Sequence, residues 1–227
     1  MSGVLALLLL VASPVPNMRV LFVGNSLTYF NDVPALVERI GRANGRRIDT
    51  TMIAYPNYAL EDHIARGNAP KAIAKGGWDV VVFQQGPSAS PEFRDNLIEY
   101  STRFADMIRQ AGGRPAVYQV WAARNRSFDF DRVRESYRIA ARKSGSMLMP
   151  VGDARRDAMV RDPSIDLFGP DGFHPSMDGS VLAALVIYQR LTGEAPAKMP
   201  DFDVPRAELE ELRASAIAAC READAAR

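Results

Sequence analysis

Short apolar runs alternate with longer amphipathic stretches from Met18 to the end of the chain. The clearest run is Asp79–Phe83 (DVVVF). It is β-branched, too short for a helix and unbroken by polar positions, so it predicts a strand buried on both faces, as in a parallel sheet. Arg19–Val23, Ile48–Ala54, Pro115–Trp121 and Met147–Val151 read as four further strands. Between them, apolar residues recur at helical spacing over Val33–Ala43, Leu60–Lys75, Glu92–Ala111, Phe130–Lys143, Asp153–Arg161 and Met177–Leu191. A charged, Ala-rich helix is predicted over Pro205–Ala226. Asn44-Gly45, Gly76-Gly77, Gly112-Gly113 and Gly145 are helix stops, and Gly67-Asn68 with Pro70 interrupts the second helix. Strand–helix alternation of this kind predicts an α/β fold: three layers, α/β/α, around a five-stranded parallel sheet of flavodoxin-like type. In such folds ligands meet the loops at the carboxyl ends of the strands, so chemistry is to be sought there.

Composition narrows the picture. A chain of 227 residues, 47% of them hydrophobic, buries a full core without staples, and residues 18–227 read as a single domain. The net charge of +1 offers no field for nucleic acid or an anionic membrane. The one cysteine, Cys220, excludes an intrachain disulfide and a cysteine metal site, and its place in an Ala-rich helix predicts an ordinary packed residue. Residues 1–17 stand apart: Val4–Ala12 is apolar without interruption, too short to span a bilayer, and Ser13-Pro14-Val15-Pro16 follows. This suits the apolar region of a secretory signal, which would make the protein secreted or periplasmic. The alternative is an extension upstream of a start at Met18, which would leave it cytoplasmic. No cysteine follows the run, so no lipid anchor is expected.

Two predicted loops carry candidate chemistry. Gly24-Asn25-Ser26-Leu27-Thr28 follows the first strand and exposes a serine hydroxyl at its carboxyl end. Turn or helix-cap chemistry explains the same residues. A phosphate loop does not, because the further glycines and the Gly-Lys-Ser/Thr signature are missing. The second loop is Gly169-Pro170-Asp171-Gly172-Phe173-His174-Pro175-Ser176. Asp171, three residues before His174, is spaced to meet the imidazole Nδ1 and leave Nε2 for a serine hydroxyl, as serine catalysis requires. A plain surface turn is the competing reading. The other histidine, His63, begins a helix beside Glu61 and Asp62; no further ligands lie near, so a structural or substrate-edge role is expected and no metal. Trp121, ending the fourth predicted strand, either walls a substrate pocket or packs in the core.

Together, Gly24-Asn25-Ser26 after strand one and Asp171-Gly172-Phe173-His174 before the last helices resemble the SGNH (GDSL-like) hydrolases. The longer stretches LFVGNSLTYFNDVP and DGFHPSMDGSVLAA resemble a branch whose nucleophile block carries Asn in place of Asp. The resemblance spans about Met18 to Leu191 and implies Ser26 as nucleophile, His174 as base and Asp171 as orienter, with no cofactor. It further implies an oxyanion hole from the Ser26 N–H, a backbone N–H after strand two and a side-chain amide after strand three. The family's glycine after strand two is absent. Asn57 falls nearest to it and tolerates left-handed backbone. For the amide, Gln84 is the first choice and Gln85 the alternate, because alternating side chains prevent both from facing the site. The resemblance implies small acyl esters such as acetyl, with carbohydrate esters among them. An acyltransferase with the same triad and a non-catalytic flavodoxin-like binding domain are the alternatives.

Overall fold

The computed structural model describes residues 17–226, so the apolar N-terminal run lies outside the described residues. Five strands form one parallel sheet: β1 (Met18–Gly24), β2 (Ile48–Ala54), β3 (Val80–Phe83), β4 (Arg114–Tyr118) and β5 (Met147–Met149), in the order β2-β1-β3-β4-β5. The helices are α1 (Ser26–Tyr29), α2 (Val33–Ala43), α3 (Leu60–Arg66), α4 (Asn68–Ala74), α5 (Pro91–Gln110), α6 (Phe130–Ser144), α7 (Val151–Arg161), α8 (Met177–Thr192) and α9 (Arg206–Ala225). α2, α7, α8 and α9 pack together on one face of the sheet, and α3 to α6 on the other. The central strands are therefore covered on both sides: Val20–Val23 and Val80–Phe83 are all buried. Each such side chain contributes about 1.5–3 kcal/mol to folding by leaving water. This is why these strands read as unbroken apolar runs.

Two predicted strands end early. β5 stops at Met149, not Val151. β4 ends at Tyr118, not Trp121. Gln119 instead sends its amide to Asp153 Oδ1 at 2.9 Å, and the chain leaves the sheet toward α7. The interruption expected at Gly67-Asn68 within Leu60–Lys75 is found: Gly67 takes a φ of 82° and separates α3 from α4. A one-turn helix, α1, begins at Ser26 itself. The order of strands reverses direction of winding between β1 and β3. Loops leaving those neighbouring strands diverge and open a crevice at their carboxyl ends, which is where Ser26 and Gln84-Gln85 stand.

Candidate active site

Ser26 is presented by a tightly packed turn. Gly24 ends β1 where an added Cβ would lie 2.6 Å from Thr28 Oγ1 and 2.7 Å from Gln84 Nε2, so a larger residue would displace these side chains. Its carbonyl accepts from Tyr55 N–H at 3.2 Å and from His63 Nε2 at 2.8 Å. Asn25 caps α1: Oδ1 accepts from Leu27 N–H at 3.1 Å, and Nδ2 donates to Tyr58 O at 3.0 Å. The Asn25 carbonyl takes the N–H groups of Thr28 and Tyr29. In this first turn the Ser26 N–H is the donor left without an acceptor among the described residues, beside its own hydroxyl.

His174 meets Ser26 across the crevice, with Nε2 at 2.9 Å from Oγ. Its Nδ1 is hydrogen-bonded to Asp171 Oδ2. The other Asp171 oxygen accepts the N–H groups of Phe173 and His174, each at 3.0 Å, which locks the carboxylate in the turn. With Asp171 as acceptor, Nδ1 carries the proton and Nε2 presents a lone pair to the serine hydroxyl. The His174 side chain, and after it the Phe173 N–H, hold the Asp171 carboxyl down to about 2. The sign of the pH effect follows. A value below the ordinary 3.8 means the ionised carboxylate stabilises the fold above that pH, and the contribution is lost as pH falls toward 2. Asp171→Asn is expected to flatten the stability–pH curve over that interval, measured by urea unfolding. Parallel curves for wild type and variant would contradict it.

The base loop is braced from behind. Trp121 is buried; its Nε1 donates to Phe173 O at 2.9 Å, and the Arg155 guanidinium lies 3.9 Å from its ring centroid. Arg155, itself buried, donates to Leu167 O at 2.8 Å and also faces Phe168. Trp121 thus supports the turn that carries His174. It also contributes to an apolar groove of about 550 Å³ with Phe128, Phe130 and Phe168. Neither role is the wall of a pocket around Ser26.

Two expectations are corrected. Gln84 is fully buried, and both N–H bonds of its amide are used, toward Asn25 Oδ1 at 2.8 Å and Thr28 Oγ1 at 3.0 Å. The alternate, Gln85, is equally committed: Nε2 faces Ser88 Oγ and Asn96 Oδ1, and Oε1 accepts from Leu60 N–H. Both amides buttress the site, and neither points a spare donor into it. Gln84→Ala is therefore expected to act through stability. It removes the amide donor to Thr28 Oγ1 and one of the two donors to Asn25 Oδ1, at a cost of about 1–3 kcal/mol, which lowers Tm by several degrees in a chain of this size, with kcat reduced less than about tenfold. A kcat loss of about 10²-fold or more at unchanged Tm would return the amide to the oxyanion. For His63 the structural alternative holds, and the substrate-edge one is the second correction. His63 is 1% exposed, lies beneath Gly24 with Tyr55 and Tyr58 against its ring, and burial lowers its pKa. It anchors the nucleophile turn and does not edge a substrate site.

Asn57 has the left-handed backbone expected of it, with φ of 60°. Its N–H has no acceptor among the described residues, whereas those of Tyr55, Tyr58, Ala59 and Leu60 are all bonded. Two contributors escaped the sequence reading. Phe30 lies flat on the His174 imidazole, with ring centroids 4.1 Å apart and planes 12° from parallel. Asn25 ties the nucleophile turn to the loop after β2. Cys220 is buried, and burial pushes its thiol up to about 12, far from reactivity.

Neither protein-family models nor curated protein sequences match the chain. Solved structures do. A protein from Slackia heliotrinireducens, provisionally named an SGNH hydrolase, is 26% identical with a TM-score of 0.65, covering 78% of this chain and 100% of its own. A DUF4886 family protein from Bacteroides uniformis aligns at 22% identity and TM-score 0.72, over 92% of this chain and 96% of its own. A lipase/acylhydrolase from Enterococcus faecalis aligns at 17% identity and TM-score 0.63, over 81% and 100%. The α/β fold is the one these proteins share.

Proposed function

We propose that the chain, built on the SGNH hydrolase fold, is a serine esterase that cleaves carboxylic esters through Ser26, His174 and Asp171. One observation carries this reading: Ser26 Oγ stands 2.9 Å from His174 Nε2 while Asp171 occupies Nδ1 of the same ring. That is the order nucleophile, base, orienter, and a surface turn or a binding loop has no need of it.

The steps follow from the geometry. His174 Nε2 takes the Ser26 proton as Oγ attacks the ester carbonyl. Asp171 fixes the tautomer and stabilises the imidazolium. The developing oxyanion is received by the Ser26 N–H and the Asn57 N–H, two peptide donors beside the site that have no acceptor among the described residues. The imidazolium returns its proton to the leaving alcohol. Water, activated by the same base, then releases the acyl group from Ser26. Small acyl groups of acetyl type, on simple or carbohydrate alcohols, are the proposed substrates, resting on the family resemblance. The test is hydrolysis of p-nitrophenyl esters of increasing chain length by the purified chain. The reading expects kcat/KM to be greatest at acetate and to fall with length. Absence of hydrolysis at every length contradicts the activity, and a maximum at long chains contradicts the substrate class.

A further inference from the structure

The segment Tyr29-Phe30-Asn31-Asp32 joins α1 to α2, and its backbone is unusual. Asn31 has φ of 53° and Asp32 has φ of 51°, two successive non-glycine residues in left-handed conformations. Such a conformation persists only where the surroundings over-determine it. Here the Asp32 carboxylate accepts from Ala35 N–H at 3.2 Å and starts α2. Asn31 has more partners. Its Nδ2 lies 3.2 Å from Pro175 O, 3.1 Å from Ser176 O and 3.0 Å from Ser180 Oγ. Backbone carbonyls only accept, so the amide nitrogen and not its oxygen must face them.

These bonds cross between the two catalytic loops. Asn31 follows the nucleophile turn, and Pro175 directly follows His174. The Ser26–His174 contact spans 148 residues of sequence, so no local geometry sets it. The Asn31 amide bonds one loop to the other, and the neighbouring Phe30 ring lies flat on the imidazole. We infer that Asn31 is a positioning residue that sets the distance between Ser26 and His174. The inference rests on the proposed roles of those two residues. A competing account makes Asn31 only a turn residue, chosen because asparagine tolerates positive φ.

Two substitutions separate the accounts. Asn31→Gly keeps the backbone at ease and deletes the clamp. Asn31→Asp keeps size and positive-φ tolerance but turns a carboxylate on two carbonyl oxygens. If Asn31 positions the loops, Asn31→Gly lowers kcat by about 10- to 100-fold with KM nearly unchanged, the scale expected for a displacement near 1 Å. Asn31→Asp is then worse. If Asn31 only shapes the turn, glycine is equivalent or better and aspartate is tolerated. A readout independent of hydrolysis is the nuclear Overhauser effect between the Phe30 and His174 rings, easily assigned because the chain has only two histidines. It should be strong in the wild type and weaken in Asn31→Gly. Near-normal kcat in Asn31→Gly, an aspartate variant no worse than the glycine one, or an undiminished Overhauser effect overturns the inference. If the wild type hydrolyses no ester, the esterase reading fails, and the Overhauser effect alone decides whether the clamp exists.

Discussion

Ser26→Ala is expected to lower kcat for ester hydrolysis on the order of 10⁶-fold, the usual consequence of removing the nucleophile of a triad. Among the described residues the serine hydroxyl bonds to His174 and to no structural partner. The turn around it is held instead by Gly24, Asn25 and Thr28. The variant should therefore melt close to the wild type, and the loss belongs to chemistry. Purified Ser26→Ala that keeps more than about a tenth of the wild-type rate on p-nitrophenyl acetate would be at odds with covalent catalysis.

His174→Ala is expected to be nearly as severe, about 10⁶-fold, because no other side chain reaches the Ser26 hydroxyl among the described residues. Asp171→Asn should be milder, since it spoils the tautomer but leaves the imidazole in place. His63 is the internal control. Its contact is the Gly24 carbonyl, which also accepts from Tyr55. His63→Ala should cost stability and leave kcat within about tenfold, as for loss of one buried hydrogen bond away from the reacting atoms. Steady-state kinetics on the two variants decide the matter. A normal rate in His174→Ala with an inactive His63→Ala would assign the base to the other histidine.

What was legible in the sequence divides along physical lines. The apolar runs Val20–Val23 in β1 and Val80–Phe83 in β3 declare themselves because burial on both faces removes the polar positions within them. The turns bearing Ser26 and the Asp171–His174 pair are visible because their spacing is local. Side-chain direction at the end of β3 is not local. Gln84 and Gln85 look alike in sequence, and only the positions of Asn25, Thr28, Ser88 and Asn96 show that both amides are engaged. His63 left a structural and a substrate-edge role open for a related reason: the sequence shows its neighbours Glu61 and Asp62 but not its buried berth under Gly24. Trp121 left the predicted strand because Gln119 finds Asp153, a contact between residues 34 apart. Phe30 and Asn31 sat within a motif already singled out. Their roles lie in contacts with His174, Pro175 and Ser180, about 145 residues away, which no pattern in the segment announces.

The central claim is that Ser26 is an activated nucleophile. A fluorophosphonate probe tests it most directly, because only a serine deprotonated by a positioned base attacks phosphorus. The protein is incubated with the probe, digested and analysed by mass spectrometry. The account predicts one adduct per chain, on the peptide carrying Ser26, formed by the wild type and by His63→Ala but not by His174→Ala over the same time. An unlabelled wild-type chain, or an adduct on any other serine, would contradict it.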